Sequence, residues 1–147
     1  MITYNDAYAL LSAICDDCNE AFDPTSDNYN PFQTYSVWCE PNENGVLIVT
    51  VIPVVRKDND EVLAALSIAL PEVVAGKPVD MDAVCVTLLR TALDVNSKEY
   101  IQARIDGGYT SDEAYEALSA IIDGAVIMVR KLIDYDMVTD ELHIGCM

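Results

Sequence analysis

The stretch from Thr110 to Ile133, TSDEAYEALSAIIDGAVIMVRKLI, decides the fold that this chain is expected to adopt. It opens on Thr110-Ser-Asp-Glu113, a capping box in which the threonine hydroxyl and the glutamate carboxylate each accept a hydrogen bond from a backbone N–H at the helix start. Apolar residues follow at helical spacing along one stripe: Ala114, Leu118, Ile121, Ile122, Ala125, Val129 and Leu132. The spacing predicts a helix of about 23 residues, roughly 35 Å long.

The apolar stripe of this helix is wide, because four further residues extend it beyond half of the circumference: Tyr115, Val126, Met128 and Ile133. A face that wide needs cover on two sides. The long helix is therefore expected either to lie at the centre of the fold or to form a self-association interface.

A helix and a β-hairpin are predicted in the first third of the chain. The helix runs from Thr3 to about Phe22, and Thr3 with Asp6 is predicted to form an N-cap and first-turn acid pair. Apolar residues recur on one face of this helix: Ala7, Leu11, Ile14, Cys18 and Ala21. Strands are predicted at Gln33–Cys39 and Val46–Val55, joined by a turn at Asn44-Gly45. Tyr35, Val37 and Cys39 share one face of the first strand, and Trp38 is expected in the core. The second strand is apolar at nearly every position, so both of its faces are expected to be covered.

The segment after the hairpin is harder to assign. Glu61–Leu70 has the Ala and Leu content of a helix, but its alternation also fits a strand, and we favour the helix. Pro71–Pro78 is predicted to break the chain, and Val79–Leu93 to form a helix. Glu99–Ile105 alternates in polarity, which predicts a short strand closed by Gly107-Gly108.

Together these elements predict a single α+β domain covering residues 1–147. Its small antiparallel sheet is expected to carry the helices on one face, with the long C-terminal helix central. The apolar fraction of 52% is ample for a core at this length, so the high charge does not indicate disorder.

The charge of the chain excludes several functions. There are 25 acidic and 8 basic residues, the formal net charge is −17, and the first 55 positions contain no Lys or Arg. Direct nucleic-acid binding needs clustered cations, and an anionic membrane surface would repel this protein. We instead expect attraction to basic protein surfaces.

The same sequence predicts a cytoplasmic protein. We see no signal peptide and no apolar run long enough to span a bilayer. The odd number of cysteines, five, fits reduced thiols better than a disulfide framework.

The strongest interaction candidate is the acidic face of the first helix and the loop that follows it. Its carboxylates have no cation nearby in sequence, and they are predicted to contact a basic partner: Asp16, Asp17, Glu20, Asp23 and Asp27. The alternative is that they only keep the protein soluble.

A zinc site is a second hypothesis. Cys15 and Cys18 form a CxxC, and His143 and Cys146 an HxxC, which together supply four ligands of the right type. Because Cys15 and Cys18 fall inside a helical pattern, core packing is the favoured interpretation, and no cofactor is expected. No phosphate-binding loop or nucleophile–histidine pair is present, so the chain is predicted not to be an enzyme.

The element order resembles that of class I type III secretion chaperones and YbjN-like proteins, which are small acidic α+β domains that commonly dimerise. The most similar part is Val79 to Ile133, with Leu88-Leu89-Arg90 on a helix, the short strand Tyr100 to Asp106, and the long helix capped at Thr110. The resemblance implies a third strand at Glu61–Leu70. It carries no functional residues.

The best functional interpretation is a non-enzymatic binding protein that engages a basic or partly unfolded protein partner, as a chaperone-like binder or an inhibitor. A homo-oligomer is expected, with a dimer favoured. Three alternatives stay open: a phage-type anti-defence inhibitor that mimics nucleic acid, a zinc-binding or small-molecule-binding protein, and a virion assembly component. A mimic predicts salt-sensitive binding to a stripe of carboxylates, a chaperone predicts an apolar groove, and a small-molecule binder predicts a concave pocket.

Overall fold

A computed structural model describes residues 2–55, 61–62 and 65–135 of the chain. The elements follow one another as α1 (Tyr4–Asn19), a short 3₁₀ helix (Glu20–Phe22), β1 (Tyr35–Pro41), β2 (Val46–Val55), β3 (Glu61–Val62), β4 (Leu66–Val74), α2 (Met81–Leu93), α3 (Ser97–Asp106) and α4 (Ser111–Asp134). The fold is α+β, as the sequence predicts.

β2 is the central strand of an antiparallel sheet. β1 pairs along one side of it, from Tyr35↔Pro53 to Pro41↔Leu47, while β3 and β4 pair in succession along the other side. Every second residue of these strands points to the helices, and six of these inward residues are fully buried: Val37, Leu47, Val49, Val51, Ile68 and Leu70. The alternation of the sequence thus gives the sheet an apolar inner face.

The helices form a layer on this inner face, and α4 is the central one. It contacts β1, β2 and the other three α-helices, while α1 packs mainly on β1 and α2 on β4. The predicted capping box is present, since Thr110 and Glu113 each accept a hydrogen bond from the other's backbone N–H. Most of the wide apolar stripe of α4 is therefore covered within the fold, between the sheet and its neighbouring helices, whereas Tyr115 is 58% exposed.

Three local predictions for the first third are confirmed. Thr3 caps α1 by accepting a hydrogen bond from the backbone N–H of Asp6, and β2 has the predicted bounds. Gly45 has a φ of 75°, the left-handed conformation that the hairpin turn requires. The Asn42 side chain supports the turn by accepting from the N–H groups of Asn44 and Val46.

The preference for a helix at Glu61–Leu70 was wrong. Residues 66–74 form β4, whose apolar positions pair with buried positions of β2 at Leu66↔Val51, Ile68↔Val49 and Leu70↔Leu47. Burial of three apolar cross-strand pairs outweighs the helix propensity of Ala and Leu. A strand in this segment is also what the resemblance to secretion chaperones implied.

The break predicted at Pro71 is displaced to the end of β4. The strand continues to Val74, and its register against β2 shifts between Leu47↔Leu70 and Val46↔Val74. The shift leaves Pro71 at an irregularity of the ladder, where a residue without an N–H is tolerated.

The strand predicted at Glu99–Ile105 was also wrong, because these residues belong to α3. Asn96 caps the helix by accepting from the N–H of Glu99, and Arg104 lies over the Tyr100 ring at 4.9 Å. A seven-residue alternation is too short to exclude a helix, and i to i+4 pairs of this kind favour one. No residue of α3 is buried, so the polar alternation marks a surface helix.

Cover on both faces of β2 was expected, but the described helices cover only the inner one. On the outer face Ile48 and Ile52 are half-buried. Within the described ranges, no helix combines the length and the apolarity that a membrane span requires.

Candidate functional site

A cleft of about 550 Å³ lies where the end of α1 and the 3₁₀ helix meet the outer face of the sheet. We call it the Trp38 cleft and define it by its lining residues: Asp16, Asn19, Glu20, Phe22, Asp23, Ser36, Trp38 and Val54. Three of these are carboxylates and two are aromatic. Among these described lining residues none is Lys or Arg.

Trp38 is exposed, and the expectation that it lies in the core was wrong. Its side chain is 59% accessible, whereas Val37 beside it is fully buried. The alternation that directs Tyr35, Val37 and Cys39 inward necessarily directs Trp38 to the opposite face. Sequence could have located this residue, because a strand with one buried face must present its intervening residues to the other side.

Two of the cleft carboxylates belong to the last turns of α1. Asp16 and Glu20 are four residues apart and therefore neighbours on one helix face, and both are exposed. Glu20 accepts a hydrogen bond of 2.7 Å from the Asn28 side chain, which orients it. Two like charges at this spacing repel each other, so a cation from a partner would relieve the repulsion.

Asp23 provides the third carboxylate and is held in a defined position. Its side chain accepts from the backbone N–H of Thr25 at 2.9 Å and from the Thr25 hydroxyl at 2.7 Å. These two hydrogen bonds lower the pKa of Asp23 from its usual value. The carboxylate therefore stays negatively charged to lower pH than an ordinary aspartate.

The five carboxylates predicted to bind a partner are not all in one place. Asp16, Glu20 and Asp23 line the Trp38 cleft, while Asp17 and Asp27 do not. Asp17 accepts a hydrogen bond of 2.9 Å from the Tyr135 hydroxyl, so it faces the end of α4. Asp27 is exposed in the loop between the 3₁₀ helix and β1.

Asn19 forms the floor between the two sides of the cleft. Its amide donates to the carbonyl of Val37 at 2.9 Å and its oxygen accepts from the N–H of Val37 at 3.1 Å. One side chain thereby replaces the two hydrogen bonds of a neighbouring strand at the free edge of β1. This contact holds Asp16 and Glu20 beside Trp38.

Two thiols and a hydroxyl group meet between α1 and β1, two of the elements that also line the cleft. The Cys39 sulfur lies 3.3 Å from the Ser12 hydroxyl oxygen and is hydrogen-bonded to Cys15. Donation by the Cys15 thiol lowers the pKa of Cys39 to about 7. Cys15 is the more buried partner, and its hydrogen bond to Cys39 together with burial raises its own pKa.

The thiols predict a pH-dependent difference in reactivity. Because only the thiolate attacks an alkylating agent, Cys39 should react with iodoacetamide at a rate that rises through about pH 7. Cys18 should stay slow, since burial raises its pKa to about 11. Peptide mapping by mass spectrometry would measure the labelling of each cysteine from about pH 5 to about pH 9, a range that includes the pKa of an ordinary thiol.

The Ser12→Ala variant is the matched control for this experiment. Loss of the serine hydroxyl removes one hydrogen-bond donor to the Cys39 thiolate, so the pH at which Cys39 labelling is half-maximal should rise. An unchanged midpoint in this variant, or wild-type labelling that follows an ordinary cysteine near pH 8.5, would contradict the assignment.

The zinc hypothesis gains no support from the described residues. Cys15 and Cys18 lie on the buried face of α1, and within residues 2–55, 61–62 and 65–135 no three His, Cys, Asp or Glu side chains are grouped to hold a metal ion. The other two candidate ligands, His143 and Cys146, lie outside the described residues.

A second, more polar cavity bears on the small-molecule alternative. It has a volume of about 420 Å³, and its lining includes Gln33, Tyr35 and Lys131. The Gln33 amide donates to the carbonyls of Cys18 and Tyr35, both at 2.9 Å. The Gln33 amide therefore connects α1 to β1. This structural role explains why Gln33 lies in the wall of the second cavity.

No protein-family model, curated protein or solved structure matches this chain. The function must accordingly be argued from the chemistry of its own residues.

Proposed function

We propose that this chain is a non-enzymatic binding protein that engages a basic protein surface through the Trp38 cleft. The observation that supports the proposal is the convergence of Asp16, Glu20 and Asp23 beside an exposed tryptophan. Carboxylates attract Lys and Arg, and the face of an indole ring binds the same cations by a cation–π interaction. The cleft thus offers two kinds of contact to one basic side chain.

The electrostatics of the whole chain act in the same direction. A net charge of −17 steers a cationic partner toward the surface and raises its association rate. The cleft then selects among the cations that arrive. Arginine is the partner side chain that the cleft should prefer, because its planar guanidinium can stack on an aromatic ring while it donates two N–H hydrogen bonds to a carboxylate.

A nucleic-acid mimic is the less favoured form of this function. A mimic would use carboxylates arranged like phosphates and needs no aromatic platform. The presence of Trp38 and Phe22 among the cleft residues favours a partner that also buries apolar surface. A binder of protein segments therefore fits the cleft better than a mimic.

Neutralising the cleft carboxylates should weaken binding more than neutralising others. In the triple variant Asp16→Asn, Glu20→Gln, Asp23→Asn we expect the Kd for an oligo-arginine peptide to rise about tenfold, since each exposed charge contact contributes only weakly but three are lost together. These isosteric changes keep the hydrogen-bond acceptors for Asn28 and Thr25. Isothermal titration calorimetry at low ionic strength would measure the change.

The control is a second triple variant with the same charge change, Glu43→Gln, Asp94→Asn, Glu116→Gln. All three residues are exposed and lie outside the cleft, and each variant moves the net charge from −17 to −14 by removing three negative charges. Equal weakening in both variants would mean that overall charge, and not the cleft, attracts the peptide. Failure of the wild-type protein to bind the peptide would reject the proposed function.

A further inference from the structure

The outer face of the sheet carries few charges for a protein of this composition. Eight outward residues form what we call the open face: Ser36, Trp38 and Glu40 on β1, Ile48, Thr50 and Ile52 on β2, and Ser67 and Ala69 on β4. Of these eight only Glu40 is charged, in a chain whose residues are 22% charged. The fraction of charged residues on the open face is therefore lower than the average of the chain.

The centre of the open face is more apolar than a solvated sheet face requires. An antiparallel sheet with one solvated face normally presents polar residues there. Here the central strand presents two isoleucines, Ile48 and Ile52, on either side of Thr50. All three are half-buried, while Ser67 and Ala69 are exposed. Among the described residues, no helix covers this face as α4 covers the inner one.

The open face is continuous with the Trp38 cleft. Ser36 and Trp38 belong to both surfaces, and Trp38 is in register with Thr50 and, across β2, with Ser67. The two isoleucines of the sheet centre and Trp38 at its edge therefore lie beside a rim that carries Asp16, Glu20 and Asp23. A ligand that fits both parts must combine an apolar face with cations along one side.

We propose that the open face docks an amphipathic helix of a partner protein, with Lys or Arg beside its apolar stripe. This proposal rests on the proposed function and specifies its partner. The apolar stripe lies over Ile48, Thr50 and Ile52, and the cations reach the carboxylates of the cleft.

The dimensions of the surface suit a helix. Three strands span about 10 Å between the outer two, which matches the width of a helix with its side chains, about 10 Å. Strand addition at β1 is disfavoured, because the Asn19 side chain already occupies the hydrogen-bonding groups of Val37 at this edge. A second copy of this chain is disfavoured as the occupant because it brings the same net charge of −17, and like charges repel.

The single tryptophan of the chain makes docking measurable. Trp38 is the only Trp, so its fluorescence reports on the open face and on the cleft that shares this residue. The probe is a synthetic peptide of lysine and leucine designed as an amphipathic helix, compared with a peptide of the same composition whose apolar stripe is broken. We expect a blue shift of Trp38 emission with the first peptide, and a Kd about tenfold lower than for the second.

Variants of the face separate apolar docking from charge attraction. Ile48→Thr with Ile52→Thr keeps β-branched side chains, which strands accept, but reduces the apolar surface, so the Kd for the amphipathic peptide should rise about tenfold. Leu93→Thr, at a residue of α2 that is 65% exposed, should change nothing. Urea unfolding of both variants checks that the fold persists.

Three outcomes would overturn the proposal. Equal affinity for the two peptides would show that charge alone attracts them, which rejects the docked helix but leaves the proposed function standing. Unchanged affinity in the Ile48→Thr, Ile52→Thr variant would place the peptide elsewhere. A Trp38 blue shift that develops with protein concentration alone, together with a dimer in sedimentation, would identify a second copy as the occupant.

Discussion

Replacing Gly124 by valine is expected to lower the free energy of unfolding by about 3 kcal/mol, because α4 and the sheet touch at this residue. A Cβ atom at Gly124 would lie 2.6 Å from Cγ1 of Val51 and 3.5 Å from Cδ2 of Tyr35. Val51 is fully buried on the central strand and is stiff about χ1, so it cannot move aside. The overpacking exceeds the few tenths of a kcal/mol that valine gains over glycine in helix propensity.

Urea unfolding of four variants would test this prediction: Gly124→Val, Ser119→Ala, Val51→Ala and the double variant Gly124→Val, Val51→Ala. Ser119→Ala, at an exposed position of the same helix, should be neutral or slightly stabilising and reports helix propensity alone. Val51→Ala removes the atom that clashes, so the double variant should be less destabilised than the sum of the two single changes. Additive effects, or a Gly124→Val variant as stable as the wild type, would show that α4 does not approach β2 as closely as described.

Replacing Asn19 by alanine is expected to lower the free energy of unfolding by about 2 kcal/mol and to make the protein prone to aggregation. The change removes two hydrogen bonds, of 2.9 and 3.1 Å, to the backbone of Val37. An unpaired, partly buried backbone group costs about 1–3 kcal/mol. It also frees the edge of β1, and an unprotected edge strand can pair with another chain.

Asn19→Asp is the matched variant, because aspartate keeps the acceptor for the Val37 N–H but loses the donor to the Val37 carbonyl. Its stability should fall at least as far as that of Asn19→Ala, because a carboxylate oxygen then faces the Val37 carbonyl oxygen and a further negative charge joins Asp16, Glu20 and Asp23. Light scattering after mild heating would follow association of the exposed edge. If Asn19→Ala were as stable and as soluble as the wild type, the side chain would not be protecting this edge.

Much of the helical structure could be predicted from local chemistry. Thr3 and Thr110 act as N-caps as predicted, because capping depends on a few adjacent residues. The buried positions of α1 were likewise predicted from helical spacing, since a helix in one layer buries one stripe. The Asn44-Gly45 turn was predicted for the same local reason, as Gly45 takes a positive φ.

Other elements depended on partners that are distant in sequence. Leu66 to Leu70 is a strand because Val51, Val49 and Leu47 lie opposite it, and no local pattern contains that information. α3 is a helix although its polarity alternates, since only its packing on α4 and its cap distinguish the two interpretations. The bounds of both elements follow from pairing and packing, which the local sequence constrains weakly.

The candidate site was likewise predicted only in part. The sequence identified Asp16, Glu20 and Asp23 as members of an acidic set, but not which of the five carboxylates converge. It placed Trp38 on the hairpin without showing that the 3₁₀ helix brings Asp23 to the same cleft. Asn19, the residue that holds these parts together, has no signature in the sequence, because its role depends on the backbone of Val37.

By itself, the sequence determined the α+β class, the long capped helix, the hairpin and the surplus of negative charge, since each follows from composition or from the spacing of near neighbours. Only the tertiary structure decided that none of the described helices covers the outer sheet face and that three carboxylates meet a tryptophan beside it. The physical reason is that burial and convergence depend on which distant surfaces pack together, and that choice is made by the free energy of the whole core.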